Sequence, residues 1–296
     1  MPVRFANLEG RAVVVSGERA ADVAELSAGR FPADPMGVLA VWDDFAEWAD
    51  APDATGAPAV AERGRPYRIG QLGPPVPHPE KVFAVALNYR THAAETGADL
   101  PEVPSVFTKF PSCLAGPGAE VVLPSTAVDW EAELVVVIGR GGRRVPAERA
   151  LEHVAGYCVG QDFSERRVQF GGGGRPQFSL GKSYDTFGPF GPAVVSLDAL
   201  ADPADLHISC AVNGEKVQDA RTSDLIFPVP ELVAYLSSIC TLRPGDLIFT
   251  GTPSGVGVAR QPARFLQPGD VVESTIEGVG TITNRAVAGD ELAGGS

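Results

Sequence analysis

A mainly β, α+β protein is the fold class the sequence predicts: a mixed sandwich-like roll of short strands behind a small α/β segment. Three observations predict it. The 296 residues include 34 glycines and 26 prolines, with 7% aromatics, a turn-rich composition unlike that of a helical bundle. Short apolar runs recur at irregular spacing, at 81–87, 105–110, 119–123, 133–138, 155–161, 192–195, 206–212, 246–250 and 271–276. Helical periodicity is confined to a few stretches, which favours a sandwich or roll over a doubly wound sheet.

Taken in order, Val13, Val14 and Val15 mark a short strand. Val38, Leu39, Trp42, Phe45 and Trp48 recur at helix-like spacing and predict one helix over 34–48, begun at Pro35. Residues 51–65 are rich in Ala, Pro and Gly and read as a loop. The proline-rich stretch 72–79 is a stiff connector, so a domain boundary is expected there: a small N-terminal α/β domain over 1–72 and a larger domain over 73–296. Beyond it the runs named above read as strands. Leu232, Val233, Tyr235 and Leu236 give 230–238 an apolar helical face, and a second helix is expected from about Ser164. Gly171 to Gly174 form a glycine-only patch read as a loop.

A net charge of −13 argues against binding nucleic acid or an anionic membrane by general electrostatics. Cys113, Cys158, Cys210 and Cys240 form no C-x-x-C pair and fit no zinc module. No basic head with a long apolar stretch opens the chain, and no run approaches the roughly 18 apolar residues of a membrane span. A reducing cytoplasm is the expected location.

The chemistry starts at Asp-Trp-Glu-Ala-Glu, 129–133. Glu131 and Glu133 are two apart and lead into the apolar run 134–138, so on a strand they share a face. Two carboxylates beside a core strand repel each other and lose hydration, and they need a counter-charge. With Asp162 at the end of the next apolar run, oxygen donors without nearby His or Cys select Mg²⁺, Mn²⁺ or Ca²⁺. Spacing alone leaves a second reading open: an exposed edge-strand pair, with Asp162 merely capping a following helix. His92 and Glu95 are three apart and meet if the segment is helical, where a carboxylate would fix the imidazole tautomer for general-base work; a surface pair without function is the alternative. Gly181-Lys182-Ser183 imitates the end of a phosphate loop, but Pro176 stands where its first glycine belongs. Lys182 is instead a candidate for holding a carboxylate or enolate oxygen. Arg166 and Gln169 follow Asp162 by four and seven residues and align with it on a helix as substrate-carboxylate or supporting groups. Thr250 and Thr252 flank Gly251 at a strand end and are substrate-binding candidates, or turn stabilisers. Gly255 and Gly257 are no dinucleotide fingerprint, since Arg260 occupies the third glycine position, and no Gly-x-Ser-x-Gly elbow exists.

Several segments in order resemble the fumarylacetoacetate hydrolase family: 87–95 (LNYRTHAAE), 106–110 (VFTKF), 129–134 (DWEAEL), 156–166 (GYCVGQDFSER), 181–189 (GKSYDTFGP), 212–215 (VNGE) and 244–257 (PGDLIFTGTPSGVG). The resemblance covers about 80 to 285. It implies the β-roll catalytic domain of that family, a homodimer, and Mg²⁺ or Mn²⁺ (sometimes Ca²⁺) serving reactions at carbon–carbon bonds of small oxo acids. It places the metal on Glu131, Glu133 and Asp162, the acid–base pair on His92 and Glu95 in a lid, and Lys182 with Thr250 and Thr252 along the pocket. Tyr89, beside Asn88 in the first of these segments, joins the substrate-binding candidates. The reaction expected is hydrolysis of a C–C bond in an acylpyruvate or related 2,4-dioxo acid. Oxo-acid decarboxylation, enol–keto isomerisation and sugar-acid dehydration on the same site are alternatives, as is a non-catalytic protein that binds a small acid.

Overall fold

The computed structural model describes residues 3–49, 57–97, 99–171 and 174–290. Its centre is the strand Ala132–Ile138, buried along its whole length. Leu-Val-Val-Val-Ile supplies apolar side chains to both faces, as a strand covered on two sides requires. The alternation is visible in the packing. Leu134, Val136 and Ile138 enter one core with Ile208, Val272 and Ile282, while Val135 and Val137 enter another with Phe5, Val38, Phe45 and Phe190.

The main sheet contains twelve strands among the described residues. Ala132–Ile138 lies between Val154–Gln161 and Leu247–Phe249, antiparallel to both. Leu247–Phe249 continues to Val82–Ala86 in parallel, and that strand pairs with the edge strand Ser105–Thr108. In the other direction the sheet passes through Gly188–Val195 to Arg4–Leu8, Arg11–Ser16 and Arg19–Asp22. A second sheet of five strands runs Glu215–Arg221, His207–Val212, Val271–Ile276, Gly280–Ala288, Val121–Leu123. Its inner side chains fill the first core. The helix Val229–Ile239 closes that core with Val229, Leu232, Val233 and Leu236. A mainly β, α+β architecture is therefore the fold.

The N-terminal segment is not walled off from the rest. Along the edge opposite Arg11–Ser16, Arg4–Leu8 pairs with Gly188–Val195 at its start and with Leu72–Gly73 at its end. The main sheet thus runs through the boundary expected at residue 72, and the aromatic cluster of Phe5, Trp42 and Phe45 shares its core with Val135 and Phe190. A segment this short buries little surface by itself, and it completes its core with residues of the neighbour such as Val135, Phe190 and Phe249.

Two expectations there are corrected. The single helix over 34–48 is two, Pro35–Ala40 and Trp42–Ala49, because Val41 leaves helical geometry as the cap of the first. Asp34 accepts from Gly37 N–H and fixes that helix's start, with Pro35 in the first turn. The stretch read as a loop over 51–65 contains a helix, Ala57–Arg63, where alanine propensity prevails over the glycine and proline around it; residues 51–56 lie outside the described residues. Of the glycine patch, 172 and 173 also lie outside them. The helix expected near Ser164 is a single turn, Arg166–Gln169, capped by the Glu165 carboxylate accepting from Val168 N–H. No helix among the described residues is long and apolar enough to cross a membrane.

Candidate active site

Strand register assembles the acidic cluster. Ala132 faces Gln161 and Glu133 faces Gly160 across the central pair, and just beyond it Asp162 N–H donates to Glu131 O at 2.9 Å. Glu131 and Glu133, on one side of the chain, therefore meet Asp162 from the neighbouring strand end. All three are buried, and one carboxylate oxygen of each lies within 4.8 Å of the others.

Positive charge surrounds them. Lys182, capping the helix Phe178–Gly181, donates to Glu131 Oε2 and to Asp162 Oδ2, each at 2.7 Å. Lys109, completely buried, donates to the other Asp162 oxygen at 2.6 Å and to the carbonyl of Lys182. Arg166 contacts Glu131 Oε1 at 2.8 Å, and it donates to Asp129 at 2.6 Å and to Gln169 Oε1 at 2.7 Å. Burial pushes Glu131 up, but the Lys182 and Arg166 charges outweigh it and hold that carboxyl at about 2. Burial also works against the Lys182 ammonium, yet Asp162 and Glu131 raise it above the ordinary lysine value. Glu133 accepts a hydrogen bond from Gly251 N–H at 2.8 Å. Burial first, then the Asp162 and Glu131 charges, push its carboxyl well above the usual range.

This donor set fits a hard divalent cation. It offers three carboxylates without imidazole or thiolate, and an ammonium already stands between two of them as a stand-in positive charge. The raised Glu133 is the group such an ion would return to its anionic form.

The acid–base candidates come from a separate element. His92 and Glu95 lie on the helix Arg90–Thr96, which ends at Gly97 in left-handed geometry, φ +66°. His92 Nδ1–H donates to Glu95 Oε2 at 3.0 Å, and Glu95 Oε1 accepts from Gly255 N–H at 2.9 Å. The helix root is tied down by Asn88, whose amide bonds Thr250 O at 2.8 Å and both backbone groups of Phe227. Asp224 receives Thr91 N–H and Oγ1–H at 3.1 and 2.7 Å.

A cavity of about 280 Å³ separates this helix from the acidic cluster. His92, Glu131, Arg166, Gln169, Lys182 and Thr252 supply its polar lining. Val85, Leu87, Phe107, Phe170, Phe178, Val256 and Val258 supply an apolar one.

Other sequence candidates sit elsewhere. Thr250 donates to Leu134 O at 3.0 Å and is turned into the sheet rather than the cavity. Thr252 borders the cavity while donating to Ala132 O at 2.9 Å. Tyr89 caps the lid helix and is fully buried; its hydroxyl has no hydrogen-bond partner among the described residues, and burial together with the Glu133 charge raises its pKa. It is not among the residues bordering the cavity. Sequence reasoning gave no role to Lys109, Gln161 or Gln218. A lysine inside the mostly apolar run Val-Phe-Thr-Lys-Phe was a signal for the first, since a buried ammonium needs a partner. Gln161 Oε1 accepts from Glu131 N–H at 2.8 Å, and no local pattern announces it.

The pattern of the fumarylacetoacetate (FAA) hydrolase C-terminal domain matches residues 81–287. The chain belongs to the fumarylacetoacetate hydrolase family. Human mitochondrial oxaloacetate tautomerase FAHD2A is 48% identical over 215 residues, 72% of this chain and 68% of the relative. Among solved structures, a Mycobacterium smegmatis protein provisionally described as HpcE is 50% identical, with TM-score 0.87 over 98% of this chain and 100% of its own. Maleylpyruvate hydrolase from Sphingobium sp. SYK-6, solved with manganese(II) and pyruvate, is 32% identical, with TM-score 0.77 over 97% and 100%.

Proposed function

We propose that the chain is a divalent-metal-dependent enzyme that interconverts the enol and keto forms of a small 2-oxo acid, with oxaloacetate the first substrate to try. The observation that carries the reading is one cavity bordered by His92 on one wall and by Glu131 and Lys182 on the other. Relatives named oxaloacetate tautomerase support the choice of reaction.

Glu131, Glu133 and Asp162 would hold Mg²⁺ or Mn²⁺, which would supply Lewis-acid stabilisation for negative charge on the substrate oxygens. His92, its Nδ1 committed to Glu95, moves a proton through Nε2 to or from the carbon beside the oxo group. Lys182 and Gln169 meet the substrate carboxylate at the polar end. The apolar lining excludes water, which strengthens these charge interactions and slows competing hydrolysis. Thr252 keeps the wall in register through Ala132.

A second reading is hydrolysis of a C–C bond in an acylpyruvate or related 2,4-dioxo acid. The apolar part of the lining favours it, because a second carboxylate such as that of oxaloacetate, buried against those side chains, would meet little but hydrocarbon. Its similarity to the maleylpyruvate hydrolase supports the same reading. Here His92 would take a proton from water. A cytoplasmic homodimer completes the proposal; light scattering during gel filtration checks the assembly.

Following the enol absorbance of oxaloacetate with and without Mn²⁺ separates the readings. The proposal expects Mn²⁺-dependent acceleration of enol decay with the carbon skeleton intact. Oxygen from labelled water entering a new product carboxylate, with no tautomerase activity, would reject it in favour of hydrolysis.

A further inference from the structure

Gln218 lies on the polar strand Glu215–Arg221 of the second sheet and is buried. Its Oε1 accepts from Ala132 N–H at 2.9 Å, between Glu131 and Glu133. Its Nε2 donates to Thr252 Oγ1 at 2.8 Å and to Pro253 O at 2.9 Å. Thr252 closes a ring by donating its hydroxyl to Ala132 O. One amide side chain thus joins the strand that bears the glutamates to the loop that borders the cavity.

That loop continues to the acid–base pair. Gly255 N–H donates to Glu95, and Gly255 O accepts from Trp130 Nε1–H at 3.1 Å, beside Glu131 in the chain. Gly255 has φ +102°, and a Cβ there would lie 2.0 Å from Val217 O. The loop therefore rests directly on the backbone next to Gln218, and only glycine allows that approach.

We infer that Gln218 is a positioning residue: through Thr252, Pro253 and Gly255 it fixes the His92–Glu95 pair relative to the three carboxylates. This rests on the reading that His92 transfers the proton. Two fixed points on one strand set the distance across the cavity, and proton transfer is steeply sensitive to such distances. Substrate binding is less sensitive, because Gln218 does not border the cavity.

The test uses Gln218→Met, which keeps length but removes both hydrogen-bonding functions, and Gln218→Glu, which keeps the acceptor for Ala132 and loses both donors. Gly255→Ala attacks the strap from its other end. The readouts are kcat and KM for the Mn²⁺-loaded protein and, without substrate, amide exchange across residues 90–97. In Gln218→Met the inference expects kcat to fall by about 10–100-fold with KM changed by less than about threefold. Exchange across 90–97 should accelerate in all three variants, and Gln218→Met combined with Gly255→Ala should be little worse than either alone. A folded Gln218→Met with wild-type kcat, or with unchanged exchange in the lid helix, overturns the inference. If that variant does not fold, Gln218→Glu and Gly255→Ala decide by the same two readouts. Absence of turnover in the wild type would reject the functional reading, while the exchange measurement would still decide the coupling.

Discussion

The two walls of the cavity are built in different ways. The acidic wall is part of the central sheet: Glu131 and Glu133 lead into its most buried strand, and Asp162 extends the adjacent one. Its side chains are held by buried ion pairs with Lys109, Lys182 and Arg166. The lid wall is one helix of seven residues, with His92 and Glu95 partly exposed, tied by hydrogen bonds with the side chains of Asn88 and Asp224 and with the Gly255 N–H. The carboxylates are thus built into the sheet, whereas the pair to which the proposed function gives proton transfer stands on a short helix held by a few hydrogen bonds, the kind of element that can open to admit a substrate.

Substitutions should separate the walls. The largest effect is expected from His92→Ala: kcat should fall by about 10²–10⁴-fold while Mn²⁺ affinity measured by calorimetry stays at its wild-type value. Parallel loss of metal binding would show that the walls are not independent. Next, Glu133→Gln should weaken Mn²⁺ binding by at least about 100-fold, beyond what loss of a supporting group costs. The same titration checks it. Lys109→Met leaves the buried Asp162 without one of its ammonium partners. It should destabilise the metal-free protein by about 3–5 kcal/mol in urea unfolding, with Mn²⁺ restoring part of the loss. The smallest effect belongs to the lid's own anchor. Asp224→Ala removes two hydrogen bonds to Thr91 and should cost about 1 kcal/mol each at most, seen as faster amide exchange at 90–97 and a loss of unfolding free energy in urea no larger than that.

The same contrast explains what the sequence revealed. The strands around the acidic wall were legible because a continuous apolar run such as Leu134–Ile138 has few other uses, and carboxylates at its end stand out against it. The helix Val229–Ile239 was legible from its periodicity. The edge strand Glu215–Arg221 was not, since its side chains are mostly polar and its pairing with His207–Val212 is what makes it a strand. Gln218 was hidden for the same reason: its partners, Ala132 and Thr252, are distant in sequence, and hydrogen bonds across sheets leave no local pattern. The expected boundary at 72 took account of the prolines but not of the pairing of Arg4–Leu8 with Gly188–Val195, which is long-range. Lys109 stands in one of the family-like segments, yet its role stays hidden there because its partner Asp162 lies far along the chain.

Anomalous diffraction from crystals soaked in Mn²⁺ would locate the ion itself. One strong peak per chain is expected, bounded by carboxylate oxygens of Glu131, Glu133 and Asp162. Density between those three side chains that stays featureless at saturating Mn²⁺, with Lys182 still bridging Glu131 and Asp162, would contradict it.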